Sequence, residues 1–157
     1  MTEPEAGKAS ASIEIKATAD AVYDLVSDVR RMGEWSPEAT GAVGASEQAT
    51  AGDHFWGLNR KGIWRWFTRC TVREAQRGRR FVFDVDLPPM PISRWIYEFE
   101  PTDEGCRVTE TWQDRRKGQV SAPIKKIGGL LIPGPRTPHN QRNIETTLQR
   151  LKAAAES

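Results

Sequence analysis

Most of the chain consists of segments in which apolar and polar residues alternate, and this pattern most constrains its fold. The first segment runs from Ala9 to Lys16, and about six more follow between Gly41 and Gln113. Alternation with a period of two is typical of β-strands that bury one face. Short turn sequences, such as Lys61-Gly62 and Asp103-Glu104-Gly105, separate several of these segments. Strands joined by short turns pair antiparallel, so the sequence predicts an antiparallel meander.

Two short helical patterns follow the first strand. Thr18 is a suitable N-cap residue, and apolar residues recur at helical spacing from there to about Val29. A second short helix is predicted from Arg30 to Trp35, before Pro37 ends it. Further along the chain, the four residues 88–91 (Pro-Pro-Met-Pro) predict a loop.

A longer helix is predicted at the C-terminal end. Thr137 is the expected N-cap, with Pro138 at the first helical position. The apolar stripe that follows includes Ile144, Leu148 and Leu151. Because this stripe must be buried, we expect a curved sheet to wrap around the helix. The predicted fold class is therefore α+β, with about seven antiparallel strands.

Aromatic residues are abundant for a domain of this size, with six Trp and five Phe in 157 residues. Many of the rings fall on the predicted inner face of the sheet: Trp64, Trp66, Phe81, Phe83, Trp95, Tyr97, Phe99 and Trp112. Such rings either line a pocket for an apolar ligand or fill a solid core, and the pattern leaves both alternatives open.

The composition argues against several classes of protein. Twenty-three basic and 21 acidic residues give a net charge of +2, so there is no electrostatic case for nucleic acid binding. No apolar run reaches the ~20 residues of a membrane-spanning helix. Two cysteines far apart, with no signal-peptide pattern, are typical of a reducing cytoplasm. We expect a flexible tail at residues 1–8 and one cytoplasmic domain at 9–157.

Several motifs resemble those of a known family. They are the helix opening Thr-Ala-Asp-Ala-Val-Tyr-Asp-Leu-Val-Ser-Asp-Val at 18–29, Met-Gly-Glu-Trp-Ser-Pro-Glu at 32–38, Gly-Leu-Asn-Arg at 57–60, Cys-Arg-Val-Thr-Glu-Thr-Trp at 106–112 and His-Asn-Gln-Arg-Asn-Ile at 139–144. Together they resemble the polyketide cyclase/dehydrase branch of the START-like (SRPBCC) superfamily. This resemblance implies a helix-grip fold whose long C-terminal helix closes a cavity.

Three residues are candidates for catalysis. Glu110 shares a strand face with Trp112, and a carboxylate among rings is expected to have a raised pKa suited to acid–base chemistry. The alternatives are a bulge that turns Glu110 toward solvent or an internal hydrogen bond. Tyr97 is expected to point its hydroxyl into the cavity or to bond within the core. Histidine is a common general base, which makes His54 a candidate, but its place at the start of a strand favours a surface position.

The remaining candidates are ligand-binding residues. Asn59 falls on the same face as Phe55, and its amide requires partners in a ligand or in its own turn. Trp35 and Met32 are expected near the cavity mouth. The full predicted ligand-binding set is Trp35, Phe55, Asn59, Trp64, Trp66, Phe81, Phe83, Trp95, Tyr97, Phe99, Glu110, Trp112, Ile144 and Leu148. We expect no metal and no cofactor, because neither clustered metal ligands nor a phosphate-binding loop is present.

Three functions are compatible with these observations. The favoured one is a non-enzymatic binding protein for a hydrophobic small molecule, such as a lipid, fatty acyl chain or polyketide-like compound. The others are a cyclase or dehydratase acting on such a molecule, and an interaction module with a filled cavity. The segment at 115–135 combines basic and apolar residues, which predicts a gate, a transient membrane contact or a packed loop. Both a monomer and a homodimer are compatible with the sequence.

Overall fold

The computed structural model describes residues 7–116 and 136–157, with only the backbone at 136. A seven-stranded antiparallel sheet forms most of the domain. Its strands are β1 (Lys8–Ile15), β2 (Ala39–Val43), β3 (His54–Lys61), β4 (Trp64–Gln76), β5 (Arg80–Leu87), β6 (Met90–Pro101) and β7 (Cys106–Asp114). The helices are α1 (Ala19–Ser27), a 3₁₀ helix (Val29–Glu34) and α2 (Arg136–Glu156).

The order of strands across the sheet is β1-β7-β6-β5-β4-β3-β2. Strands β2 to β7 form the predicted meander, and β1 pairs with β7 at the far edge. Helix α2 packs mainly against β1, and the two short helices follow β1 as predicted. The prediction of an α+β helix-grip fold is therefore confirmed.

Some predicted boundaries were wrong. Met90 and Pro91 belong to β6, because the β5–β6 hairpin turns tightly at Pro88-Pro89 and pairs Leu87 with Met90. Pro91 is tolerated there because it lies near the strand start, where the register shifts. Thr137 lies inside α2, which begins at Arg136. Strand β1 begins at Lys8, which the sequence had placed in the tail.

The hydrophobic core lies between the sheet and the helices. Thr18 caps α1 as predicted, since its hydroxyl oxygen accepts a hydrogen bond from the Ala21 N–H at 3.1 Å. Tyr23 of α1 packs edge-on against Phe81 and Phe99 of the sheet, with ring centroids 6.0 and 5.5 Å apart. Helix α2 buries its predicted stripe, Ile144, Leu148 and Leu151. These contacts fill one end of the space under the sheet.

A buried carboxylate joins three strands on the outer face of the sheet. The side chain of Asp84 in β5 is fully buried and accepts hydrogen bonds from Arg73 of β4 at 2.8 Å and Arg94 of β6 at 2.6 Å. Arg115 lies 3.3 Å away. Burial alone would raise the pKa of Asp84, but the hydrogen bonds from Arg94 and Arg73 outweigh it and lower the pKa.

We therefore expect Asp84→Asn to lower the free energy of unfolding by about 2–4 kcal/mol at neutral pH, because three guanidinium groups lose their common partner. A lowered pKa in the folded state stabilises the protein above the unfolded pKa of about 3.8, and this contribution is lost as pH falls. The difference between variant and wild type should thus shrink in acid. Urea unfolding at neutral and at acid pH measures the loss of stability and its pH dependence, and Asp103→Asn in an exposed turn is the control. An equal effect of the two variants would contradict the assigned role.

Candidate functional site

A cavity of about 120 Å³ lies between the concave face of the sheet and α2. Its wall is mostly apolar and comes from the inner faces of β3 to β7, from α2 and from the 3₁₀ helix. The lining residues include Met32, Phe55, Gly57, Asn59, Trp66, Thr68, Cys70, Phe83, Val85, Ser93, Trp95, Tyr97, Glu110, Trp112, Arg116, Asn140, Asn143 and Thr147. The described side chains therefore leave an open space under this part of the sheet.

The cavity brings together about half of the residues predicted from the sequence. These are Phe55, Asn59, Trp66, Phe83, Trp95, Tyr97, Glu110 and Trp112. They come from consecutive strands, because period-two alternation directs each of these side chains to the concave face. The two interpretations of the aromatic set, pocket and core, thus each hold for part of it.

Other predicted residues lie elsewhere. Phe81, Phe99, Ile144 and Leu148 are buried in the core and do not line the cavity. Alternation identifies the face of a strand correctly, but it does not tell how far along the sheet the open space extends.

The sequence analysis also placed two tryptophans, Trp64 and Trp35, at the cavity, and neither lines it. Trp64 lies at the tip of the β3–β4 hairpin, where 53% of its surface is exposed. Trp35 is buried in the core, with the Arg31 guanidinium 5.4 Å from its ring centroid, whereas its neighbour Met32 does line the cavity. Trp35 was expected at the mouth from the fold that the resemblance implies, but its ring packs inward.

His54 lies outside the cavity, on the opposite face of β3 from Phe55. Its ring is exposed, and Nδ1 lies 3.0 Å from the Thr71 hydroxyl. His54 is therefore a surface residue, as its place at the start of a strand predicted. Asn59 does line the cavity, and its amide donates to the Gly57 carbonyl and the Thr68 hydroxyl, both at 3.3 Å.

The most polar feature of the cavity is the pair formed by Glu110 and Tyr97. The two residues face each other across β7 and β6, and the Tyr97 hydroxyl donates to Glu110 Oε2 at 2.8 Å. Burial raises the pKa of Glu110 to about 8, and the hydrogen bond from Tyr97 opposes this rise only in part. Burial, followed by the nearby Glu110 carboxyl, also raises the pKa of Tyr97. Near neutral pH, Glu110 is therefore mostly a neutral acid.

Two buried polar atoms on the cavity wall have no hydrogen-bond partner among the described residues. They are Glu110 Oε1 and Asn140 Oδ1. A polar atom buried without a partner costs about 1–3 kcal/mol, so these atoms favour a polar group of a bound molecule. The cavity therefore combines an apolar wall with two buried polar atoms that have no partner among the described residues.

Sequence reasoning missed the polar residues that α2 contributes. Asn140 lies one turn before the core residue Ile144 of α2 and Thr147 lies about one turn after it, and both are buried. The available signal was a polar residue within an apolar helical stripe. Ser93 was missed as well, because the expected loop at 88–91 hid the start of β6.

Other features of the described chain limit the chemistry of this site. Burial raises the pKa of the Cys70 thiol to about 12, so this wall residue is not a thiolate near neutral pH. Within residues 7–116 and 136–157, no three His, Cys, Asp or Glu side chains are grouped as a metal site requires. None of the described helices is long and apolar enough to cross a bilayer. The predicted gate at 115–135 lies outside the described residues, except for Arg115 and Arg116.

The fold and the cavity together define a helix-grip protein with an internal site for a small molecule. A family model described as "Polyketide cyclase / dehydrase and lipid transport" matches residues 6–156. The chain belongs to this family, and the resemblance inferred from its motifs is confirmed. A search of curated protein sequences finds no match.

Solved structures show the same fold. The di-domain aromatase/cyclase StfQ of the steffimycin biosynthetic pathway matches with a TM-score of 0.73 and 17% identity, over 96% of this chain and 50% of StfQ. This chain thus spans half the length of StfQ. The polyketide-cyclase-like protein Cgl2372 of Corynebacterium glutamicum is 29% identical, with a TM-score of 0.57, over 97% of this chain and 93% of that one. KanY matches with a TM-score of 0.68 and 17% identity, over 98% and 99%.

The raised pKa of Glu110 predicts a specific dependence of stability on pH. The folded protein holds the Glu110 proton up to about pH 8, whereas the unfolded chain releases it near 4.5. Stability should therefore fall as pH rises through this window, by up to about 1.4 kcal/mol per pH unit. Glu110→Gln should remove this slope, and the exposed control Glu104→Gln should keep it. Urea unfolding at several pH values measures the slope, and an unchanged slope in Glu110→Gln would show that another group titrates.

Tyr97→Phe tests the hydrogen bond within the pair. Because the Tyr97 hydroxyl lowers the pKa of Glu110, its removal should move the upper end of the titration above about pH 8. Carboxyl-carbon NMR of Glu110 follows this directly. An unshifted titration would mean that the hydrogen bond is not formed in solution.

Proposed function

We propose that this protein binds a hydrophobic small molecule of the lipid, fatty acyl or polyketide-like type in the cavity between the sheet and α2. The observation that carries this proposal is an apolar cavity in which Glu110 Oε1 and Asn140 Oδ1 are buried and have no partner within residues 7–116 and 136–157. Ligand sites of this kind combine apolar walls with a few polar groups that orient the ligand.

The size of the cavity supports a particular mode of binding. A volume of about 120 Å³ is smaller than the ~300–1,000 Å³ of most ligand sites. It is closer to the engineered cavity of about 150 Å³ that accepts benzene. We infer that one ring, or a short stretch of chain, enters the cavity and that the rest of a larger ligand extends toward the mouth near Met32.

The polar atoms favour an oxygen-rich ligand within this class. A neutral Glu110 has an acidic proton to donate, and Asn140 Oδ1 accepts a hydrogen bond. A hydroxy-ketone or enol, as in a polyketide-like molecule, presents both a carbonyl and a hydroxyl group. A fatty acid carboxylate would instead carry its charge into a mostly apolar cavity, and the loss of its hydration there disfavours binding.

Ligand preference tests this proposal. We expect dihydroxyacetophenone to bind about tenfold or more tightly than ethylbenzene, because each hydrogen bond to an unpartnered buried atom contributes about 1 kcal/mol. Octanoate should bind more weakly than dihydroxyacetophenone. Isothermal titration calorimetry measures all three, and native mass spectrometry of the purified protein identifies any molecule that remains bound. Equal affinity for the three probes would contradict the polar part of the proposal.

A cavity-filling substitution tests the location. Val85 lines the cavity, so Val85→Phe should weaken binding of dihydroxyacetophenone more than about tenfold by occupying its space. The matched control is Val43→Phe on the exposed side of β2, which should leave binding unchanged. If neither variant changes the affinity in proteins that circular dichroism shows to be folded, the ligand binds elsewhere.

Catalysis is the second candidate, and the observation that favours it is the pKa of about 8 at Glu110. A carboxyl group that titrates near working pH can act as a general acid or base. A cyclase or dehydratase reaction would use it to move protons between carbon and oxygen atoms of the bound chain. Incubation with a poly-β-ketone thioester tests this: Glu110→Gln should abolish turnover while binding remains. Binding without turnover by the wild type would exclude the reaction.

A further inference from the structure

The exposed large apolar side chains of the described part of the chain all lie on three neighbouring strands and one turn. They are Val43 on β2, Trp56 and Leu58 on β3, Ile63 and Trp64 at the β3–β4 turn, and Phe67 on β4. Ile63 is 90% exposed and Phe67 is 61% exposed. We use the term hairpin surface for the outward-facing residues 56, 58, 60, 65, 67 and 69 together with residues 61–64 at the tip of the hairpin.

The strand register makes these residues contiguous. Leu58 lies opposite Phe67, and Trp56 lies opposite Arg69, on the face that points away from the cavity. The rings of Trp56 and Phe67 are in edge contact, with centroids 5.6 Å apart. Exposed apolar patches of this kind usually mark an interaction site.

The charges on the hairpin surface all have one sign. The segment from His54 to Val72 contains Arg60, Lys61, Arg65 and Arg69 and no Asp or Glu. Among the described residues, none of these four cations forms an ion pair. Asp86 lies opposite Arg69 in the register, but its carboxylate is 3.5 Å from Arg115 instead. The hairpin surface therefore combines apolar side chains with uncompensated positive charge.

A different arrangement is found on the adjoining outer face of the sheet. There Arg73, Arg94 and Arg115 surround the buried Asp84. Because those arginines are paired with Asp84, their positive charge is neutralised within the fold. Of the four cations of the hairpin surface, only Arg60 makes a side-chain hydrogen bond among the described residues, from Nε to the Gly62 carbonyl at 3.2 Å, and none of the four has an anionic partner there.

We propose that the hairpin surface binds an anionic lipid bilayer. Tryptophan and other apolar side chains partition into the interface of a bilayer, and each Lys or Arg near an anionic surface adds about 1 kcal/mol of attraction. The exposed aliphatic side chains of Ile63 and Leu58 favour a bilayer over a nucleic acid. They are stabilised on leaving water for the bilayer interface, but they have no ring on which a base could stack. A second copy of the chain fits less well, because a symmetric contact would bring these cations together.

This binding would place the small-molecule cavity next to the membrane. The inward-facing residues of the same hairpin, Asn59 and Trp66, form part of the cavity wall. A hydrophobic molecule could thus pass between bilayer and cavity without crossing much water. The membrane site itself goes beyond the proposed small-molecule binding and does not depend on it.

Co-sedimentation with vesicles tests this proposal. The full chain should bind vesicles of equal parts phosphatidylcholine and phosphatidylglycerol, bind pure phosphatidylcholine much more weakly, and be released by salt. Arg65→Gln/Arg69→Gln should weaken binding to the anionic vesicles about 30-fold. Ile63→Ser/Phe67→Ser should weaken it about tenfold or more, because apolar side chains no longer enter the interface.

The matched control removes two exposed arginines elsewhere. Arg79→Gln/Arg142→Gln has the same net charge as the first variant and should reduce vesicle binding far less. All variants should retain the circular dichroism spectrum of the wild type and its affinity for dihydroxyacetophenone, if that ligand binds. Failure of small-molecule binding alone would leave the membrane site intact.

Three results would overturn the proposal. The first is equal binding to neutral and anionic vesicles, or none to either. The second is an equal loss of binding in the control variant. The third is that the hairpin residues are required for binding of a single-stranded oligonucleotide, or for self-association seen by analytical ultracentrifugation, but not for binding of vesicles.

Discussion

The burial of one apolar stripe of α2 under the sheet determines where everything else can lie. Ile144, Leu148 and Leu151 leave water only if the sheet curves around the helix, and the strands that do so have their aromatic side chains on the concave face. The contact of α1 with the same sheet fills one end of this space through Tyr23. The other end stays open and forms the cavity.

Within that cavity, burial changes the chemistry of one ordinary residue. An exposed glutamate is ionised at neutral pH, whereas Glu110 among rings keeps its proton to about pH 8. Tyr97 donates a hydrogen bond to one of its oxygens, whereas the other oxygen and the amide oxygen of Asn140 are buried without a partner in the part of the chain that the structure describes. An apolar wall and a few unpartnered polar atoms are what a binding site for a hydrophobic, oxygen-bearing molecule requires.

The β3–β4 hairpin has two faces with different chemistry, because successive side chains on a strand point in opposite directions. Its inner face contributes Asn59 and Trp66 to the cavity, and its outer face carries Trp56, Phe67 and cations that form no ion pair with any described residue. Elsewhere on the sheet, arginines are compensated by Asp84. The β3–β4 hairpin thus contributes to both proposed binding activities, for a small molecule and for a membrane surface.

The sequence by itself determined the elements and the faces of this protein, because alternation and helical spacing depend only on residue order. It therefore predicted the fold, and it placed Glu110 and Tyr97 on the concave side. Only the tertiary structure decided that Phe81 belongs to the core, that Trp64 is exposed at a hairpin tip, and that Asn140 of α2 faces the cavity. These facts depend on sheet curvature and on distances between elements remote in the chain, which no local pattern encodes.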